Sequence, residues 1–180
     1  MKNKIGFFVI VMSVFFGFFS CSSIPKGAVA VQNFQKEQYL GLWYEIARLD
    51  FKYERNLNNT TARYSLNENN TIKVVNRGYN VVTQEWKEAV GKAKFLKSDS
   101  VAMLQVSFFG PFYSGYNVLA IDKDYQYALV AGKNLDYMWI LSRTTMVPDS
   151  VKQEYLSIAQ KIGFKTEELI WVEHDKKQLN

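Results

Sequence analysis

Few residues in this chain of 180 can do covalent chemistry. Cysteine and histidine occur once each, as Cys21 and His174. One thiol cannot close an intramolecular disulfide, and one thiol with one imidazole is too few for a zinc site; no metal or cofactor is expected. The nucleophile pattern Gly-x-Ser-x-Gly and a phosphate-cradling glycine loop are absent from the sequence. Acid–base work by a carboxylate would need an acid inside a sheltered pocket, and strand parity offers only Glu45. No catalytic residue is assigned. What the chain has in excess is surface for noncovalent contact, with 13 Phe, 11 Tyr and 4 Trp. Phe7, Phe8, Phe15, Phe16, Phe18 and Phe19 fall in the first twenty residues, and the rest imply a large apolar space to fill or to line.

The formal charge of +5 becomes +3 when Lys2 and Lys4 are set apart with the first segment. Its cations are scattered singly between apolar residues, which argues against a nucleic-acid partner. Residues 1–20 have a positive start, an apolar run from Ile5 to Phe19 and the small Ser20, the pattern of a secretory signal peptide. A run of about 15 residues is short of the roughly 20 that cross a bilayer. Phe18-Phe19-Ser20-Cys21 resembles the processing box of bacterial lipoproteins, with Phe18 where Leu is usual. That resemblance implies cleavage before Cys21 and its acylation by diacylglycerol and a fatty acid such as palmitate. Several chains on one residue anchor stably, because each buried methylene contributes about 0.8 kcal/mol. A buried structural cysteine is the alternative. Ser22 stands where an Asp would, by resemblance, retain the protein at the inner membrane, so the expected location is the outer membrane, facing the periplasm.

Residues 21–34, with Pro25 and Gly27 and no clear period, read as a tether. From Tyr39 the apolar period is two. Strands are predicted at about 41–50, 59–66, 70–79, 85–96, 101–109, 115–122, 126–132 and 136–143. A helix follows Pro148, with Ser150 and Gln153 at capping-box spacing, an apolar stripe of Val151, Tyr155, Ile158, Ala159 and Ile162, and Gly163 at its end. The run Leu169-Ile170-Trp171-Val172 predicts a ninth strand beside the first, and 176–180 is a polar tail. Eight antiparallel strands with short links can close into an up-and-down barrel able to hold one small ligand. A two-sheet sandwich shares the same periodicity.

Particular residues separate the two. Gly41-Leu-Trp43 opening the first strand and Arg143 ending the eighth resemble a lipocalin, in which the Trp sits at the closed end of the barrel beneath an Arg. Tyr64-Ser65-Leu66, Arg77-Gly78-Tyr79-Asn80, Phe108 to Tyr113 and Tyr127 to Val130 are similar to the bacterial outer-membrane lipocalins and their relative apolipoprotein D. The family's middle motif, usually Thr-Asp-Tyr, stands here as Asp122-Lys123-Asp124-Tyr125. The resemblance implies an all-β fold: an eight-stranded antiparallel up-and-down barrel over 35–175, with one C-terminal α-helix packed outside.

If Trp43 faces inward, parity turns Glu45, Ala47, Leu49, Ala62, Tyr64, Val74, Asn76, Phe108, Tyr116, Ala120 and Trp139 inward as well. Apolipoprotein D implies ligand contact at the positions of Tyr64, Asn76, Tyr116 and Trp139, and parity adds Phe108. An amide such as Asn76 inside an apolar barrel needs a partner, which a ligand ester, hydroxyl or bridging water would supply. Phe109, Phe112 and Tyr113 fall on the mouth loop, either as a lip that touches a membrane or partner or as an inward lid. Arg48, Lys52 and Arg55 lie in or near the first mouth loop, positioned to meet lipid phosphate or water. The expectation is a carrier of fatty acids or lysophospholipids, held at the outer membrane through Cys21, for lipid storage, transport or envelope maintenance. A lipocalin-fold enzyme acting on a small apolar substrate and a structural lipoprotein with a filled barrel are the alternatives. A homodimer paired through the mouths is left open.

Overall fold

Alternation of apolar and polar residues gives each strand a dry and a wet face, and closure of the sheet into a ring makes the dry faces an interior. The structure, a computed structural model, describes residues 23–176, so Cys21 and the signal segment lie outside the described residues. After a single helical turn α1 (Lys36–Tyr39) come β1 (Gly41–Arg48), β2 (Leu57–Leu66), β3 (Ile72–Asn80), β4 (Glu85–Phe95), β5 (Met103–Phe109), β6 (Phe112–Ile121), β7 (Tyr127–Ala131) and β8 (Met138–Ser142). Each pairs antiparallel with the next, and β1 pairs with both β2 and β8, which closes the expected barrel. The short β9 (Ile170–Trp171) adds to the outside of β1, as its sequence predicts.

The helix α2 (Asp149–Ile162) packs on the outer wall. Its stripe, centred on the buried Tyr155 and Ala159, covers Ile46, Ala47, Leu129, Met138 and Ile140. Each large apolar side chain fully buried there contributes about 1.5–3 kcal/mol. Gly163 ends the helix in the left-handed region, its N–H donating to the carbonyls of Ala159 and Gln160. The predicted capping box does not form: Pro148 occupies the cap and Ser150 falls inside the first turn.

Three other expectations change. A bulge between Glu45 and Ala47 inserts Ile46 into β1 and reverses its parity. Ala47 and Leu49 therefore face the helix, and Arg48, expected at the mouth among lipid phosphates or water, is buried. A second bulge between Val118 and Ala120 likewise turns Ala120 away from the interior. Phe112 and Tyr113 belong to β6, because Phe109 and Phe112 pair directly across Gly110-Pro111. Finally, residues 23–34 are not a free tether. The segment bonds to the barrel through Val31, which pairs with Val118 and Ala102, and through Phe34, whose N–H donates to Ser100.

Candidate functional site

The interior is sealed at one end and open at the other. At the sealed end the buried Trp43 donates through Nε1 to the Tyr39 carbonyl at 2.8 Å, and the Arg143 guanidinium lies 3.8 Å from the centre of its ring. Arg143 also donates to the carbonyls of Gln38, Leu40, Leu42 and Tyr125, which ties α1, β1 and the β6–β7 turn together. Gly41 adopts φ +99°, a region L side chains rarely enter, so the backbone here favours glycine, while a Cβ would meet Arg143 Nη1 only in ordinary contact at 3.4 Å. The modified motif folds tightly: the Asp122 carboxylate accepts from the N–H groups of Asp124, Gln126 and Tyr127, and Tyr125 Oη accepts from Gln35. Phe34 and Tyr125 complete the plug.

Above this floor lies a cavity of about 610 Å³ that reaches the mouth. Pockets that hold small ligands run roughly 300–1,000 Å³. Its lower wall carries a hydrogen-bonded chain of phenols, with Tyr116 Oη 2.6 Å from Tyr39 Oη and 2.8 Å from Tyr64 Oη. Burial holds all three phenols above their usual range, so they stay neutral. Asn76 sits in a cross-strand row between Ala62 on β2 and Ala89 on β4, whose small side chains leave space around the amide. Its buried Oδ1 has no hydrogen-bond partner among the described residues. Val106 and Phe108 line the same cavity from β5, and Trp139 lines its upper wall.

A charged cluster that sequence parity missed occupies the upper wall. Arg48 Nη1 donates to Glu45 Oε1 at 2.7 Å, and Nη2 donates to the carbonyls of Glu54 and Leu57 at 2.8 and 2.9 Å. The guanidinium thus pins the β1–β2 loop over the barrel. Glu54 Oε2 accepts from Trp139 Nε1 at 3.0 Å, while Arg48 Nε stands 4.0 Å away. Burial, followed by the neighbouring Glu45, pushes the Glu54 carboxyl up to about 8. Burial also raises Glu45, with Arg48 and Thr60 pulling the other way. Only a bulge brings Glu45 and Arg48, three apart, to one face of a strand, and nothing in the composition of β1 announces one. Phe51 of the same loop packs edge-on against Tyr137 and Trp139.

Of the predicted ligand residues, Tyr64, Asn76, Phe108, Tyr116 and Trp139 all border this one cavity. Phe109, Phe112 and Tyr113 stand at its mouth; Phe109 and Phe112 are exposed, and Tyr113 lies under Lys94. Glu45 borders the cavity too, but its carboxylate is taken by Arg48. His174 is outside the barrel, where its Nε2 meets the Glu45 carbonyl at 2.8 Å and its ring stands edge-on to Tyr44.

Comparison with known proteins gives a consistent family. A model of the lipocalin-like domain matches residues 34–174. Outer membrane lipoprotein Blc of Citrobacter freundii is 52% identical over 155 residues, covering 85% of this chain and 88% of that one. The protein of the same name from Vibrio cholerae is 42% identical over 167 residues, 92% and 96% of the two chains. Apolipoprotein D of Rattus norvegicus is 35% identical over 125 residues, 65% of each. Among solved structures, insecticyanin of the tobacco hornworm superposes with a TM-score of 0.69 at 18% identity, covering 84% of this chain and 87% of that one, a likeness of fold.

Proposed function

The chain belongs to the lipocalin family, and from that premise we propose that its barrel carries fatty acids or lysophospholipids as a non-enzymatic lipoprotein of the outer membrane. The observation that carries the reading is the cavity of about 610 Å³, with apolar walls and one unpartnered amide oxygen, at Asn76. A hydrocarbon chain lies between Ala62, Ala93, Val106 and Phe108, and the polar end of the ligand reaches Asn76 or the phenols of Tyr64 and Tyr116. A donor on that ligand, or a water it brings, satisfies the Asn76 Oδ1, which supplies affinity because a buried acceptor left alone costs about 1–3 kcal/mol. Trp139 closes the upper wall. Cys21, acylated after removal of residues 1–20, holds the barrel at the outer membrane on its periplasmic side, in keeping with relatives named as outer membrane lipoproteins. The role is storage or delivery of membrane lipid.

Titration of the mature chain carrying Cys21→Ser with lysophospholipid and with fatty acid tests this. Saturable one-to-one binding is expected, and Trp139→Arg, which replaces an apolar ring bordering the cavity by a cation, should weaken it at least tenfold. Absence of binding, or binding indifferent to that change, refutes the proposal.

A further inference from the structure

The amino-terminal segment meets the barrel on the side of its mouth. The Ser23 carbonyl accepts a hydrogen bond at 2.8 Å from Asn117 Nδ2, a fully buried amide that also donates to the carbonyls of Ala131 and Gly132. Gly115 makes room for it: a Cβ at that position would strike the Ser23 carbonyl and come within 3.1 Å of Lys133 Cα. From Ser23 the segment runs down the wall to Val31, beside Val118, and to Phe34 in the closed-end plug. Gly115 is three residues from Phe112 at the mouth and six from Ile121 at the closed end, about 10 and 20 Å at the rise of a strand. Cys21 is two residues upstream of Ser23, a reach of about 7 Å at most. Cys21 can therefore come within about 3 Å of the level of Phe112, near enough for its acyl chains to reach the mouth, and it falls well short of the closed end.

The mouth carries a surface suited to that position. Tyr53, Val81, Val82, Phe109, Phe112 and Leu135, drawn from all four mouth connections, are exposed, Phe112 to 78% and Val82 to 69%. The closed-end connections expose Leu66, Leu96 and Met146 and no aromatic side chain among the described residues. Lys52 and Lys133 are exposed on the same rim; of its carboxylates, Asp50 and Glu85 are paired with Arg55 and Lys87, and the exposed Asp136 accepts from Asn134 Nδ2. Aromatic and aliphatic side chains interspersed with lysines match the interface of an anionic bilayer.

We propose that this rim rests on the bilayer that holds the acylated Cys21, so that the barrel opens onto the lipid surface and ligand passes between bilayer and cavity without crossing water. The proposal rests on the lipidation of Cys21 given above. The anchor selects which membrane, and the rim sets which end of the barrel meets it.

The test uses the full-length lipoprotein, processed in a bacterial cell and reconstituted into phosphatidylethanolamine–phosphatidylglycerol vesicles. Because the acylated Cys21 is the only cysteine, Phe112→Cys and Val82→Cys at the mouth and Leu66→Cys at the closed end can each take a single fluorescent label. Lipids brominated on their acyl chains should remove most emission from the labels at 112 and 82 and leave that at 66 intact. Equal quenching at 66, or no quenching at 112 and 82 while the protein floats with the vesicles, overturns the proposal. A label at 112 that is shielded but insensitive to bromination would mean that a second copy covers the rim, and overturns it as well. An unacylated Cys21 in the mass spectrum, with a chain that fails to float, sinks the anchoring reading itself and is distinguishable from failure of the rim alone.

Discussion

Replacing Glu54 with Gln should flatten the pH dependence of the barrel's stability above pH 6.5. The Glu54 carboxyl stands at about 8 in the folded chain, against an ordinary value of 4.5, with burial as the main cause and Glu45 as the second. Between those values the folded state keeps a proton that the unfolded state has already released, so stability falls as pH rises through the window and levels off above it. A full proton of difference corresponds to about 1.4 kcal/mol per pH unit, so the interval from 6.5 to 8 removes roughly 2 kcal/mol at most. For a domain of this size the thermal midpoint drops by roughly 4–8 °C. His174 is held below its ordinary 6.5 by burial, so its protonation destabilises the fold at lower pH and has the opposite sign. Glu45 is raised like Glu54 and leaves a residual slope in the variant. Gln keeps an acceptor for Trp139 Nε1, so the loop stays in place. Thermal melts of both chains at half-unit steps from pH 6.5 to 9 measure the effect. Parallel curves for the two chains would refute the assignment of a protonated carboxyl to the upper wall.

Three further outcomes follow from the geometry. Asn76→Leu removes the unpartnered amide, so the unliganded barrel should gain about 1 kcal/mol in denaturant unfolding while lysophospholipid binding weakens about tenfold by titration. Arg143→Lys loses the stack on Trp43 and most of the four carbonyl contacts; unfolding measurements should show a loss of about 2–4 kcal/mol with ligand affinity unchanged. Gly115→Ala displaces the Ser23 carbonyl at a cost of about 1–3 kcal/mol, and hydrogen exchange should speed up over residues 23–31 while the barrel strands keep their protection.

The barrel was legible because period-two alternation survives in nearly every strand, and its closed end because Gly41, Trp43 and Arg143 are identifiable one by one. Inward parity held for β2, β3 and β5, where Ala62, Asn76 and Val106 share one cavity. It failed within β1 and β6, since Ile46 and Leu119 are extra residues that leave composition and alternation locally plausible while reversing every side chain beyond them. That reversal is why the Glu45–Arg48–Glu54 cluster was invisible: Arg48 reads as an outward cation until the bulge turns it in. The path of residues 23–34 was hidden for a different reason. Its bonds run to Val118, Ala102 and Asn117, and pairings about seventy to ninety-five residues away leave no local pattern.

The central claim is that the space inside the barrel is a lipid site. Native mass spectrometry of the lipoprotein released from its own cell envelope tests it most directly, run beside Ala62→Phe, which fills the cavity next to Asn76. A single acyl lipid should accompany each wild-type chain, beyond the mass of the Cys21 anchor, and be missing from the filled variant. Wild-type chains free of lipid, or equal occupancy in the two, would contradict it.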